Sequence, residues 1–147
     1  MHMEQSSACV LERELTARGV RLTRQRKIIV NVIETAGKHL DAAQTLRRAA
    51  RLDPGINRVT VYRTLGLLKR LGLIDELDLL HVNGEGHYYE PRPKRDHLHL
   101  TCFRCRKTVE FESALFERLK GQVERECDFR IELTRVEVGG VCAKCRK

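Results

Sequence analysis

Apolar positions recur at three- and four-residue intervals to about residue 70, and in short alternating runs afterwards. The first spacing lays one buried stripe along a helix, whereas alternation marks a half-buried strand. The first periodic segment covers residues 8–18 (Ala8 to Arg18), with Ser7 as candidate N-cap and Gly19 as the C′ stop. Thr23 caps a second helix to about Ala36, whose stripe is Ile28, Ile29, Val32 and Ile33, and Gly37 ends it. Asp41 caps a third, through Leu46 and Ala49–Ala50 to Leu52, until Asp53-Pro54-Gly55 breaks it. A fourth begins at Asn57 or Arg58 and runs to about Leu71. Its Val61, Leu65 and Leu68 face inward, leaving Tyr62, Arg63, Gly66, Lys69 and Arg70 outside.

After Gly72 the period shortens. Leu73–Leu77 and His87-Tyr88-Tyr89-Glu90 predict two strands joined by the polar stretch around Asn83-Gly84-Glu85-Gly86, a hairpin. Helices followed by such a hairpin describe a winged helix-turn-helix, here over residues 1–90. Residues 91–96 form a linker, because Pro91 and Pro93 resist regular structure and the charges around them hold it in water. Residues 97–147 predict a small α+β module. Its elements are a strand His97–Thr101, a Cys-x-x-Cys knuckle, a strand Thr108–Phe111, a helix Ser113–Glu126 and a strand Arg130–Val138. Phe116, Leu119 and Val123 form that helix's apolar face. The chain is therefore α+β in two parts, without internal repeats.

Composition sharpens this picture. The 147 residues carry a net charge of +8, and between Arg18 and Arg70 there are 13 Lys and Arg against three acids. Nucleic acid is the natural partner of such a stretch, set against a merely solvated basic face. No apolar run approaches the roughly 18 residues a membrane span needs, so no membrane partner is expected. Nothing resembles a signal peptide, and a reducing cytoplasm is the expected compartment. Four of six cysteines form two Cys-x-x-Cys pairs, which in a reducing compartment favour metal over disulfides. Cys9 and Cys127 stand alone and are expected to be small buried residues.

The fourth helix has one face to pack and another to read. Outward it offers Thr60, Tyr62 and Arg63: a hydroxyl, a ring able to touch a thymine methyl, and a guanidinium for phosphate or guanine. Arg21, Arg24 and Arg26, at or near the start of helix two, can grip the backbone. A basic surface helix with no reading role is the plainer alternative.

Cys102, Cys105, Cys142 and Cys145 supply the four thiolates of a closed structural zinc site. The 36 residues between the pairs hold a strand, a helix and a strand, so the metal would pin the tail to the first strand. Four soft ligands leave no open position for catalysis; a thiol–disulfide switch is the alternative. A second constellation starts from His97 and His99, which a strand places on one face. Glu90 at the end of the wing, Glu110 on the next strand and His39 before helix three are the donors that could reach them. Spacing alone does not bring these together. Joined, they make a mixed nitrogen/oxygen site for iron, manganese or zinc that draws on both parts of the chain. Binding there would couple metal to the arrangement of the DNA-reading part.

The chain resembles the ferric uptake regulator family of bacterial metal-dependent repressors over nearly its whole length. The motifs that carry the resemblance are Arg21-Leu-Thr-Arg-Gln-Arg26, Thr60-Val-Tyr-Arg-Thr-Leu65, His97-x-His99 followed by Cys102-x-x-Cys105, and the terminal Cys142-x-x-Cys145. The resemblance implies an N-terminal winged helix joined to a small α/β dimerisation domain, acting as a homodimer on a palindromic double-stranded operator. It also implies structural zinc at Cys102, Cys105, Cys142 and Cys145, and a regulatory iron, manganese or zinc at His39, Glu90, His97, His99 and Glu110. Tyr62 and Arg63 match the family's base-contacting pair, and Arg21 a basic residue approaching the minor groove. His81 and His87 are substitutes for Glu90 if the alignment of the linker differs.

Some relatives have a further metal site, which here would use Asp96, Leu98, Glu117 and Thr134; leucine and threonine are poor ligands, so that site is expected to be absent or crippled. The peroxide-sensing branch typically has aspartates where Glu90 and Glu110 stand, and the zinc-uptake branch often has a cysteine near Glu90. The expected function is thus a metal-responsive repressor of the iron-uptake type, not an enzyme. Peroxide sensing and zinc or manganese response are the alternatives within the family. From other classes, a metal-dependent hydrolase would need an open coordination position beside a general base, and a constitutive DNA-binding protein would carry structural zinc only.

Overall fold

The computed structural model describes residues 9–37, 39–82, 86–92 and 95–147. They fall into two compact units, one of residues up to Leu77 with His87–Arg92, the other of Asp78–Gly86 with the described residues of Pro93–Lys147.

In the first unit the local capping chemistry decides where helices start. Helix α1 is Val10–Ala17, α2 Arg24–Thr35, α3 Ala42–Leu52 and α4 Arg58–Arg70. The Thr23 side chain accepts the Arg26 amide, and the Asn57 side chain accepts the Thr60 amide. Asp41 and Gln44 form a reciprocal capping box at α3. At α1 the capping differs from the sequence reading. The expected cap Ser7 and first residue Ala8 lie outside the described residues, and Cys9 takes the N-cap position without a side-chain cap bond. Glu34 of α2 supplies the cap instead, its carboxylate accepting the amides of Val10 at 2.8 Å and Leu11 at 2.9 Å. Gly19 and Gly37 both have positive φ, as helix-terminating glycines should.

Strands β1 (Leu40–Asp41), β2 (Ile74–Leu77) and β3 (Tyr88–Pro91) form an antiparallel sheet in the order β1-β3-β2. The two-residue β1 was not foreseen, since it is too short to show a period. Leu11, Leu15, Ile29, Val30, Ile33, Leu65 and Leu68 meet in one core with Leu40 and Ile74 from the sheet. The α4 stripe Val61, Leu65 and Leu68 is buried as its spacing predicts. This is the helical core with an attached hairpin of a winged helix.

In the second unit β4 (Leu98–Cys102), β5 (Thr108–Phe111) and β6 (Val136–Gly140) make a sheet ordered β5-β4-β6, with β4–β5 antiparallel and β4–β6 parallel. Helix α5 spans Ala114–Cys127 and is capped by Ser113. The strand expected from Arg130 begins only at Val136. The segment before it wraps the end of α5: Asp128 is left-handed, the Phe129 amide donates to the Glu124 carbonyl, and the Ile131 amide to the Glu124 carboxylate. Gly139 permits a close approach, because a Cβ there would overlap the Phe103 ring.

The β2–β3 connection also departs from a simple polar loop. Leu79, Leu80 and His81 all have positive φ (47, 57 and 54°), and Glu137 on β6 accepts the amides of Leu79 and Leu80 at 3.1 and 3.3 Å. The expected turn residues Asn83, Gly84 and Glu85, and Pro93 and Lys94 of the expected linker, lie outside the described residues.

Candidate metal centres and nucleic-acid interface

Two knuckles in the second unit bring four sulfurs together. The first turns back at Arg106, which has positive φ and donates its amide to the Cys102 carbonyl at 2.9 Å. The second turns through the Cys145 and Arg146 amides, both bonded to the Cys142 carbonyl. The parallel β4–β6 pairing carries one to the other, with Cys102 opposite Gly140. The Sγ atoms of Cys102, Cys105, Cys142 and Cys145 all lie within 4.8 Å of one another, and Cys105 Sγ is 3.8 Å from Cys142 Sγ.

The amide of Cys142 points at Cys102 Sγ from 3.4 Å. That amide, followed by those of Cys105 and Arg104, draws the Cys102 thiol down to about 6. The Cys145 amide likewise lowers Cys142, while the Cys145 thiol, bonded to Cys142, is pushed up to about 12. Amide donors stabilise thiolate, as a ligand sulfur requires. The set fits tetrahedral zinc. The knuckles also carry Arg104, Arg106, Lys107, Lys144 and Arg146, whose charge opposes the excess negative charge of a zinc tetrathiolate. Cys127 corrects the sequence reading: it ends α5 in an exposed position. Cys9 is half-buried, and burial followed by its bond to Glu34 pushes its thiol up to about 12, leaving it inert at neutral pH.

The nitrogen and oxygen donors lie partly in each unit. In the first, the His39 Nε2 and a Glu90 carboxylate oxygen are 2.7 Å apart, His39 standing before β1 and Glu90 within β3. In the second, His97 Nε2 and His99 Nε2 are 3.1 Å apart at the start of β4, and His99 pairs in register with Glu110 on β5. Two ring nitrogens each about 2.1 Å from a common metal would be separated by roughly 3.0–3.4 Å at ordinary coordination angles. The pair is thus spaced as chelating donors are. Of the two substitutes, His87 lies with Nδ1 3.4 Å from Glu76, and His81 sits in the left-handed turn of the second unit.

At the positions of the further site seen in some relatives, Lys120 bonds Asp96 and lies 3.5 Å from Glu117. The hydrogen bond to Asp96 is the first cause that raises the ammonium's pKa. A cation of the chain itself therefore stands between the two carboxylates. Leu98 on β4 offers no ligand atom, and the Thr134 hydroxyl is buried without a hydrogen-bond partner among the described residues. Sequence reading had not singled out Lys120; its position three residues beyond Glu117 on α5 was the available signal.

In the first unit Tyr62 and Arg63 are exposed on α4, and the Arg58 guanidinium carbon lies 5.4 Å from the Tyr62 ring centroid. Thr60 is half-buried and its hydroxyl engages Asn57 Oδ1 at 3.2 Å, so it serves the helix start as well as the outward face. Arg21 is exposed, and its carbonyl accepts a bond from the Arg26 guanidinium, which ties Arg26 to the entry of α2. Arg24 is exposed at the first position of that helix.

The family model for the ferric uptake regulator family matches residues 17–139. A ferric uptake regulation protein of Synechococcus elongatus is 34% identical over 143 residues, covering 96% of each chain. One from Rhizobium leguminosarum bv. viciae is 35% identical over 137 residues, 93% of this chain and 94% of that one. Among known structures, a zinc-bound manganese uptake regulator is 34% identical with a TM-score of 0.68, over 91% of this chain and 99% of that one.

Proposed function

The chain belongs to the ferric uptake regulator family, and on that premise we propose that it is an iron-responsive repressor that grips a palindromic operator when its regulatory site is filled. It is a metal-responsive transcriptional regulator and not an enzyme, and regulators of this family bind DNA and act as dimers. In this reading Cys102, Cys105, Cys142 and Cys145 hold structural zinc. His39, Glu90, His97, His99 and Glu110 hold the regulatory metal, while Arg21, Thr60, Tyr62 and Arg63 meet DNA. Residues 1–90 read DNA, 91–96 link, and 97–147 make the homodimer. Among the described residues no helix is long and apolar enough to cross a membrane, and we assign the repressor to the cytoplasm.

The observation that carries the reading is the His97–His99 pair, 3.1 Å apart at the entry to β4, which runs straight into the Cys102–Cys105 knuckle. A bound divalent metal supplies a single positive centre that neutral imidazoles and ionised carboxylates can share. His97 and His99 would each present an Nε2 lone pair to the metal. Because His39 and Glu90 come from the first unit and the other donors from the second, occupancy would hold the DNA-reading helices at the spacing of successive half-sites. The glutamates at 90 and 110 favour metal response over peroxide sensing. Manganese is the second reading, favoured by the 34% identity to a manganese uptake regulator.

The deciding experiment is operator affinity with iron, manganese and zinc in turn, without oxygen, on wild type and His97→Ala. Wild type should bind tightest with iron at the metal supply of the cell, and His97→Ala should lose metal-dependent binding with its melting curve unchanged. Metal-dependent binding retained by His97→Ala would sink the regulatory assignment. Wild-type binding insensitive to chelation of the weaker metal would favour a constitutive DNA-binding protein.

A further inference from the structure

The exposed face of α4 begins earlier than Thr60. Arg58, Val59, Tyr62 and Arg63 are all exposed, and their spacing of one, four and five makes a continuous strip at the N-terminal end of the helix. Arg58 is the first helical residue, and no acid lies in that turn. A cation there faces the positive end of the helix dipole, so helix stability gives no reason for it. What positions it is the Tyr62 ring, 5.4 Å from the guanidinium carbon and one turn along. A cation–π contact draws on the guanidinium's charge and uses none of its N–H donors in a hydrogen bond. Such a fork matches O6 and N7 of guanine, and the first turns of a recognition helix are the part that meets base edges. Within this turn Thr60 has its hydroxyl on Asn57, so among the described residues Arg58 carries the polar donors left for a ligand.

We propose that Arg58 is a specificity-determining residue that reads a guanine in the major groove beside the base met by Tyr62, with the Tyr62 ring as its positioning platform. The proposal rests on α4 being the DNA-reading helix. Its test uses full-length, metal-activated protein and a site selected from random duplexes by the wild type. Affinities are then measured on a panel with each base pair of the half-site replaced in turn. Arg58→Ala should weaken binding to the selected site about ten- to a hundredfold and erase the preference at one G·C pair per half-site, leaving the other preferences intact. Tyr62→Phe, which keeps the ring, should retain that preference, and Tyr62→Ala should weaken it. Arg58→Ala should melt at the wild-type temperature or above, since it removes a cation from a helix N-terminus.

A loss uniform across the panel, with the salt slope reduced by about one, would make Arg58 a phosphate contact and overturn base reading. Unchanged affinity in Arg58→Ala alone would overturn the proposal and leave the helix assignment standing. Unchanged affinity in Tyr62→Ala and Arg63→Ala as well would instead remove α4 from the interface.

Discussion

In the first unit, side chains from four helices and a small sheet close on each other, and Leu15, Ile29, Val30, Ala49 and Leu68 have no exposed surface. The second unit buries Leu79, Cys102 and Phe116 but leaves Val109, Phe111, Leu115, Leu119, Phe129 and Leu133 open, each at least 46% exposed. Its helix α5 has the apolar stripe of a packed helix, yet only Phe116 of that stripe is buried. A module of this size is marginal on hydrophobic burial alone. The contrast teaches that the first unit folds by ordinary burial, whereas the second, in the function proposed above, would rely on a metal staple and on a second copy covering its apolar faces.

The hardest blow to this contrast is Cys102→Ser. It should remove zinc, the dimer and the cooperative melting of the second unit while the helical signal of the first persists. Apparent zinc energies of about 10–16 kcal/mol in small zinc domains set the scale. Zinc content, sedimentation and circular dichroism check it, and a zinc-free, folded dimer would break the comparison. Next comes Leu68→Ala, which opens a cavity in the first unit and should cost about 2–5 kcal/mol in urea unfolding. Zinc content and dimerisation should stay at wild-type values; their loss would show that the units do not rely on separate means.

The smallest effect concerns Glu34. Burial alone would raise its pKa, but the Cys9 thiol and the Leu11 and Val10 amides outweigh it and hold the carboxyl below its ordinary value of 4.5. A depressed carboxyl stabilises the fold fully above the unfolded value and loses that contribution as pH falls through the folded one. Glu34→Gln should therefore cost roughly 1 kcal/mol or less near neutrality, and the difference from wild type should vanish at acid pH in thermal melts across pH 3–7. A difference that persists in acid would mean the carboxylate is not what anchors α1.

Much of this was legible because the chemistry is local. Thr23, Asp41, Asn57 and Ser113 each cap a helix through an amide two or three residues on, within the reach of sequence reading. The α4 stripe and the two sulfur pairs carry their spacing in the same way. The Glu34 cap was not legible, since 24 residues separate it from the Val10 amide. Nor was the Leu79–Leu80 turn, whose carboxylate acceptor is 58 residues from Leu79. The late start of β6 was missed because Ile131 and its neighbours have strand-like composition, while α5's end gives their amides other partners. Cys127 was expected to be buried from its residue type, but burial depends on what covers a helix end.

By itself, then, the sequence determined the helices and the starts of all but α1, the basic character of the candidate reading face, and the kinds of donor at each candidate metal centre. Those follow from period, charge and side-chain chemistry over a few residues. Only the tertiary structure decided that the two knuckles meet, through a parallel β4–β6 register, and that His99 lies opposite Glu110. It also decided that Lys120 stands between Asp96 and Glu117 and that Arg58 lies over Tyr62. Strand register and packing join residues far apart in the chain, and rotamer choice settles which near neighbours touch. Neither is written in any short window of the sequence.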